Sequence, residues 1–365
     1  MKIFIHSALL IFSALTCTAQ NQLDRSLISF YKPAENPVLR PDSNFTFLDP
    51  IKKQTVRWQK SDVFNPAAIV KDGKVYLLFR AEDNKTGPIG SKTSRIGVAA
   101  SDDGIHFKKF PKPVLYPDTG PFMKDDYPGG CEDPRIVETA SGDYVIIYTA
   151  WNGKKALLSS AVSKDLFHWQ KKGAAFAKAN NGRFLKIWTK SASIITKMVN
   201  GKLIAAKING KYWMYWGEHF VNLASSDNLV DWYPELDQKG ELKRAMETRP
   251  GKFDSDLTEC GPPAVITKAG IVLLYNGRNS ENSNVSDPAM PKGMYSVGQV
   301  VFDVNNPGKV VARSDTSFIR PTLPHEITGQ YHAGDTFSEG LVFFKNKWFL
   351  YYGTADSFVG LAISA

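Results

Sequence analysis

One short pattern occurs five times in this chain and constrains its fold more than any other feature. A turn pair is followed by a run rich in Tyr, Leu, Val and Phe. The copies are Asp72-Gly73 before 74–79, Ser141-Gly142 before 143–148, Asn209-Gly210 before 211–215, Ala269-Gly270 before 271–275 and Lys345-Asn346 before 347–352. Successive turns lie 69, 68, 60 and 76 residues apart. Each copy follows a second strand-like run, at 67–70, 135–138, 193–196, 264–267 and 341–344. Two β-rich runs joined by Asp-Gly or Asn-Gly read as a hairpin. The third unit is irregular, because Asn200-Gly201 and the run 203–206 intervene there.

A weaker repeat follows in the first three units: Ser101-Asp102-Asp103-Gly104-Ile105-His106-Phe107, Ser163-Lys164-Asp165-Leu166-Phe167-His168-Trp169 and Ser226-Asp227-Asn228-Leu229-Val230-Asp231-Trp232. It fits the turn between the outer two strands of a four-stranded sheet. Five units of that size, with little helical periodicity, predict an all-β chain folded as a five-bladed β-propeller. A pair of sandwiches or a β-helix gives no reason for hairpins at this spacing.

The N-terminus bears on compartment. Lys2, the apolar run 3–15 and the small or uncharged residues 14–19 have the layout of a secretory signal, too short to span a membrane. Residues 1–19 are therefore expected to be removed on export to the periplasm, leaving 20–365 as a single catalytic domain. Cys17 raises the alternative of a lipidated, membrane-anchored form. No later run is long and apolar enough to cross a bilayer. Cys131 and Cys260 read as buried thiols, without metal-ligand spacing. The six scattered histidines include no His-x-His or His-x-x-x-His pair, so neither metal nor other cofactor is expected. The formal charge of +9 comes mostly from scattered lysines, and basic runs interleaved with aromatics are absent, which argues against a nucleic-acid partner.

In a propeller the first strand of each blade lines the central channel, so residues opening those strands face the ligand. Here they are Phe64-Asn65-Pro66-Ala67, Glu132-Asp133-Pro134-Arg135, Lys190-Ser191-Ala192-Ser193, Glu259-Cys260-Gly261-Pro262-Pro263 and Phe337-Ser338-Glu339-Gly340. Residues closing the second strands are their neighbours: Arg80-Ala81-Glu82-Asp83, Trp151-Asn152, Trp216-Gly217-Glu218-His219, Asn276-Gly277-Arg278-Asn279 and Asp356. Charges at such places face desolvation unless they pair or bind something. A structural ring of ion pairs accounts for Arg80, Glu82 and Arg135 as well as ligand binding does. Asp133, Glu218 and Glu259 come from three units and converge in a way that suits acid–base chemistry on a glycosidic bond. Trp151 and Trp216 beside them offer flat faces for sugar rings.

These motifs resemble glycoside hydrolase family 130, the propeller mannoside phosphorylases and mannosidases. The carriers are Asn65-Pro66-Ala67, Arg80-Ala81-Glu82-Asp83, Ser94-Arg95-Ile96-Gly97, Gly130-Cys131-Glu132-Asp133-Pro134-Arg135, Tyr148-Thr149-Ala150, Lys190-Ser191-Ala192, Gly261-Pro262-Pro263 and Tyr352-Gly353-Thr354-Ala355-Asp356. The resemblance implies inverting displacement on a β-mannoside, with Asp133 as general acid acting through the sugar 3-hydroxyl. In the phosphorylases a His-Arg pair closes the second strand of blade three, and its Arg helps bind phosphate. This chain has Tyr215-Trp216-Gly217-Glu218 there. A carboxylate repels phosphate and suits water, so the resemblance points to the exported hydrolytic branch acting on β-1,2-mannosides, with Glu218 and Glu259 activating or positioning water. Asn65, Arg80, Glu82, Asp83, Arg95, Arg135, Lys190 and Asp356 are expected to hold sugar hydroxyls or orient the acids. The expected partner is a mannose-containing oligosaccharide. The stretch 313–336, with its irregular part 321–332, is a candidate to cover the pocket or to reach a neighbouring copy in a homo-oligomer. Rival readings are a phosphorylase, a non-catalytic glycan-binding propeller, and an arabinan- or fructan-cleaving enzyme.

Overall fold

The computed structural model describes residues 23–84 and 92–365, so the expected signal 1–19 and most of the loop after Asn84 lie outside the described residues. The chain is built almost entirely of antiparallel strands. In the first unit Asp62–Lys71 pairs with Lys74–Glu82, which pairs with Ser94–Ser101 and then Lys108–Lys109. In the second the order is Gly130–Glu138, Tyr144–Trp151, Ala156–Ser163 and Gln170–Ala174. The third runs Ala192–Val199, Lys211–Trp216, Val221–Ser226 and Tyr233–Pro234.

In the fourth unit the inner strand is broken into Leu257–Cys260 and Ala264–Thr267 across Gly261-Pro262-Pro263, and Gly270–Arg278, Tyr295–Phe302 and Val310–Arg313 follow. Two prolines in a row cannot donate to a ladder, which accounts for the break. The fifth unit runs Thr336–Phe344, Lys347–Thr354 and Phe358–Ser364, and its outer strand is the N-terminal Phe30–Tyr31. Borrowing that strand ties the two ends of the chain together and covers an edge.

The irregular third unit is explained by the inserted strand Lys202–Ala205. It makes its own hairpin with Ala192–Val199 through Asn200-Gly201, leaving only 192–194 to pair with 214–216. The Ser-x-Asp/Asn repeat forms the outer turns as expected. Ser101 Oγ accepts from Gly104 N–H at 2.9 Å, and Asp103 Oδ1 accepts from the N–H groups of Ile105 and His106, each at 2.8 Å. Ser163-Asp165 and Ser226-Asn228 repeat this arrangement.

Most strand residues are buried on both faces because each unit packs between two others. Separate apolar clusters join the first unit to the second (Leu78, Val98, Ile146, Tyr148), the second to the third (Ile147, Phe176, Met214, Trp232), the third to the fourth (Tyr215, Leu223, Leu273, Phe302), and the fourth to the fifth (Leu274, Val301, Leu350, Tyr352). A last cluster joins the fifth to the first through Leu77, Phe79, Phe349 and Tyr351. The stack therefore closes on itself into a propeller-like ring, with the inner strands around its axis. Cys131 and Cys260 are free and buried. Among the described residues no helix is long and apolar enough to cross a membrane.

Candidate active site

The inner strands do not run straight to the end that carries the acids. Register slips between Phe64 and Pro66, between Glu132 and Arg135, and between Ser338 and Gly340. These bulges accommodate Pro66 and Pro134 and re-aim the residues beside them. Asn65 (φ 45°), Asp133 (φ 46°), Ser191 (φ 51°) and Asp356 (φ 53°) all sit in the left-handed region. Such conformations cost about 1–3 kcal/mol each and gather at sites where side-chain direction matters. Asn65 Nδ2 donates to Asp133 Oδ1 at 2.9 Å, linking the first two units. Gly353 is glycine for this reason: a Cβ there would stand 1.9 Å from Asn65 Oδ1.

Arg80 organises one side of the site. Its guanidinium meets Asp133 Oδ1 at 3.0 Å and the Oε1 atoms of Glu82 and Glu132 at 2.8 Å, and Nε donates to Ser94 Oγ at 3.1 Å. Lys92 adds a second cation 3.0 Å from Glu82 and 3.8 Å from Asp62. Burial drives the Asp133 carboxyl up, but Arg80, Lys190 and Arg135 outweigh it and bring it down to about 2. Glu132, on the same guanidinium, is pushed up by burial to about 7 against the pull of Arg80. Glu132 is therefore the more readily protonated of the two.

Lys190 organises the other side. Its ammonium lies 3.9 Å from Glu218 and is held in its charged form above the usual lysine range by Glu259, Glu218, Asp133 and Glu132, which overcome its burial. Ser191 donates its hydroxyl to Glu259, whose carboxyl burial raises to about 7. The Glu218 side chain keeps 30% of its surface exposed, so it remains open to water. Of the three acids expected to converge, Glu218 lies beside Lys190, and the charges of Asp133 and Glu259 also act on that ammonium.

Arg135 lies beneath them, 2% exposed, and donates to the main-chain oxygens of Asp133 and Cys260 while sitting 3.0 Å from Glu339. These bonds fix the strand ends under the acids, which fits the second of the two roles expected of it. Asp356 (pushed by burial up to about 6), Asp335 and Glu339 (both raised by burial) complete the acidic floor. Glu132, Asp335 and Glu339 were not among the residues selected from the sequence. Their sequence signal is that they stand in or beside the same strand-opening motifs. The stretch 321–332 reaches this chain's own pocket, where Gln330 Nε2 donates to Asp356 O at 2.8 Å and approaches Glu82 at 3.5 Å.

Two expectations are corrected. Trp216 is 2% exposed and packs on Phe176 at 4.7 Å within the core between the second and third units, so it offers no face to a sugar. Arg95 is fully buried, locked between Asp49 at 2.6 Å and Asp83 at 3.0 Å. It therefore ties the N-terminal segment to the wall and offers no atom to a sugar, and it holds Asp83 in place. Trp151 is half-buried, with its ring edge to face with Trp188 at 5.3 Å.

A family profile described as β-1,4-mannooligosaccharide phosphorylase, that of glycoside hydrolase family 130, matches residues 31–365. The chain is 31% identical over 343 residues to a 1,2-β-oligomannan phosphorylase of Thermoanaerobacter sp. (strain X514), covering 92% of this chain and 97% of that one. Among solved structures, a putative glycoside hydrolase from Parabacteroides distasonis is 52% identical with a TM-score of 0.91, covering 93% and 97% of the two chains. Another, described under the finding that this family of mannoside phosphorylases contains glycoside hydrolases that target β-1,2 mannosidic linkages in Candida mannan, is 48% identical. Its TM-score is 0.91, with 94% and 96% of the two chains covered.

Proposed function

The chain belongs to glycoside hydrolase family 130, and from that premise we propose that it is an exported hydrolase that releases mannose from β-1,2-linked mannosides. We further infer that its five antiparallel units are the blades of a five-bladed propeller, since five apolar clusters join them in a closed cycle. The observation that carries hydrolysis is the Glu218 carboxylate beside Lys190, at the place where the resemblance puts a phosphate-binding arginine. A phosphate dianion approaching the Glu218 carboxylate is repelled, whereas a neutral water is polarised by it.

The chemistry follows from the two sides of the site. A mannosyl unit seated between Arg80 and Lys190 has Asp133 on one face and the Glu218–Glu259 pair on the other. Asp133 delivers a proton to the glycosidic oxygen through the sugar 3-hydroxyl, and the bond from that oxygen to the anomeric carbon breaks. Water attacks that carbon from the opposite face while the Glu pair takes its proton, so configuration inverts and α-mannose is released. Asp133 is ionised in the free protein, so it must first receive a proton. Glu132, which shares Arg80 with it and is raised by burial, is placed to supply one. Reaction in water labelled with heavy oxygen tests the step. Label at the anomeric carbon of first-formed α-mannose supports it, and mannose 1-phosphate as the obligatory product refutes it.

A phosphorylase remains the second reading, favoured by the phosphorylase relatives and by the clustered cations Arg80 and Lys190. Export through the 1–19 signal agrees with hydrolysis, because a sugar phosphate is useful only where it can be retained.

A further inference from the structure

The pocket has an aromatic rim that the reaction does not use. Trp188 is 56% exposed and its neighbour Ile187 is 41% exposed, and neither joins an apolar cluster of the ring. An indole so exposed has a structural use if it covers something, but the contact recorded for its ring is Trp151, itself half-buried. The two rings meet edge to face, with centroids 5.3 Å apart and planes at 62°.

Both tryptophans are fixed to backbone that carries the acids and the central lysine. Trp151 ends the second strand of the second unit, in register with Gly130, two residues before Glu132. Its ring lies on Gly129 so closely that a Cβ there would stand 1.8 Å from Trp151 Cδ1. Trp188 precedes Lys190 by two residues, placing their Cα atoms no more than about 7 Å apart. Its segment is pinned, because Thr189 N–H donates to Ala156 O at 3.0 Å and Leu158 N–H donates to Thr189 Oγ1 at 2.9 Å. The pair is therefore held in place within a few residues of Lys190 and Glu132.

We propose that Trp151 and Trp188 form a subsite for mannosyl units beyond the scissile bond, so that the enzyme prefers oligomannosides to the disaccharide. The one axial oxygen of a β-mannose ring, O2, leaves the opposite face to the C–H groups of C1, C3 and C5, which an exposed indole desolvates without needing a hydrogen-bond partner. The inference rests on the mannosidase reading of the same site.

Calorimetric titration of Asp133→Asn, which does not turn over, tests it with β-1,2-mannobiose and β-1,2-mannotetraose. Trp188→Ala in that background is expected to weaken tetraose binding about tenfold and mannobiose binding by less, the scale for removing an aromatic anchor. Trp188→Phe should restore most of the difference. Equal losses on both sugars, or none on the tetraose, would overturn the subsite. The assay needs no catalysis, so a wild-type enzyme that proved to require phosphate would refute hydrolysis while leaving this result to stand or fall separately.

Discussion

Replacing Glu218 with Gln removes one negative charge and almost no volume, which makes it the sharpest perturbation of the site. Glu218 Oε1 lies 3.9 Å from Lys190 Nζ, with side-chain exposures of 30% and 22%. Unit charges near that distance interact by about 4 kcal/mol at an effective dielectric of about 20. Solvent reaching both groups reduces the stability at stake to about 1 kcal/mol. The catalytic effect should be far larger, because losing a general base costs about 10²–10⁴ in rate, equivalent to about 3–5 kcal/mol of barrier. Glu218→Gln is thus expected to melt within a few degrees of wild type while kcat for mannobiose hydrolysis falls at least a hundredfold. Azide, entering where water is no longer activated, should recover part of the rate and leave an α-mannosyl azide. The reasoning is refuted if the variant keeps more than about a tenth of wild-type kcat, since no effect on the attacking water is then being lost.

Three further outcomes follow from the same geometry. Trp216→Ala empties a core position and should cost about 3–5 kcal/mol of stability, measured by denaturant melts; a raised KM with unchanged stability would return Trp216 to the pocket. Arg80→Met strips the guanidinium from the buried Asp133 carboxylate and from its neighbours, of which Glu82 keeps Lys92. A loss of about 3–5 kcal/mol is expected, and a loss under about 1 kcal/mol would show that these acids are solvated or neutral. Glu132 and Glu259 (about 7) and Asp356 (about 6) are raised by burial, so the folded protein keeps protons that the unfolded chain releases near pH 4. Their stabilisation is complete below that pH and is lost as pH rises through about 7. The melting temperature should therefore fall by about 3 °C or more between about pH 5 and about pH 8, and a rise over that range would contradict the assignment.

The ring of sheets was readable from the sequence because its signals are local. Asp72-Gly73 and Lys345-Asn346 form turns with both residues at positive φ, and the apolar runs after them form strands buried on both faces. What escaped was the direction of side chains at strand ends. Alternation along a strand places Trp216 and Glu218 on one face, but Gly217 (φ 124°) and His219 (φ 71°) break the strand between core and pocket. Trp216 consequently points into the core while Glu218 reaches Lys190.

The bulge at Asp133-Pro134 likewise sends Glu132 and Asp133 to the same guanidinium, which alternation would forbid. Arg95 was misread because one partner, Asp49, comes from an N-terminal segment with no repeat to mark it. Trp188 follows an irregular 3₁₀ stretch, Ala179–Lys186, where no period singles it out. Asp133 and Glu259 open the first strands of their units and Glu218 follows the second strand of its own, so the repeat brings all three to the same end of the ring.

Hydrolysis against phosphorolysis is the central question, and one measurement addresses it directly. Mannose release from β-1,2-mannobiose is followed in phosphate-free buffer and across a phosphate titration, with mannose 1-phosphate measured alongside. The account predicts full activity without phosphate, no mannose 1-phosphate at any concentration, and at most weak inhibition by phosphate. Activity that appears only with phosphate, matched by mannose 1-phosphate, would contradict it.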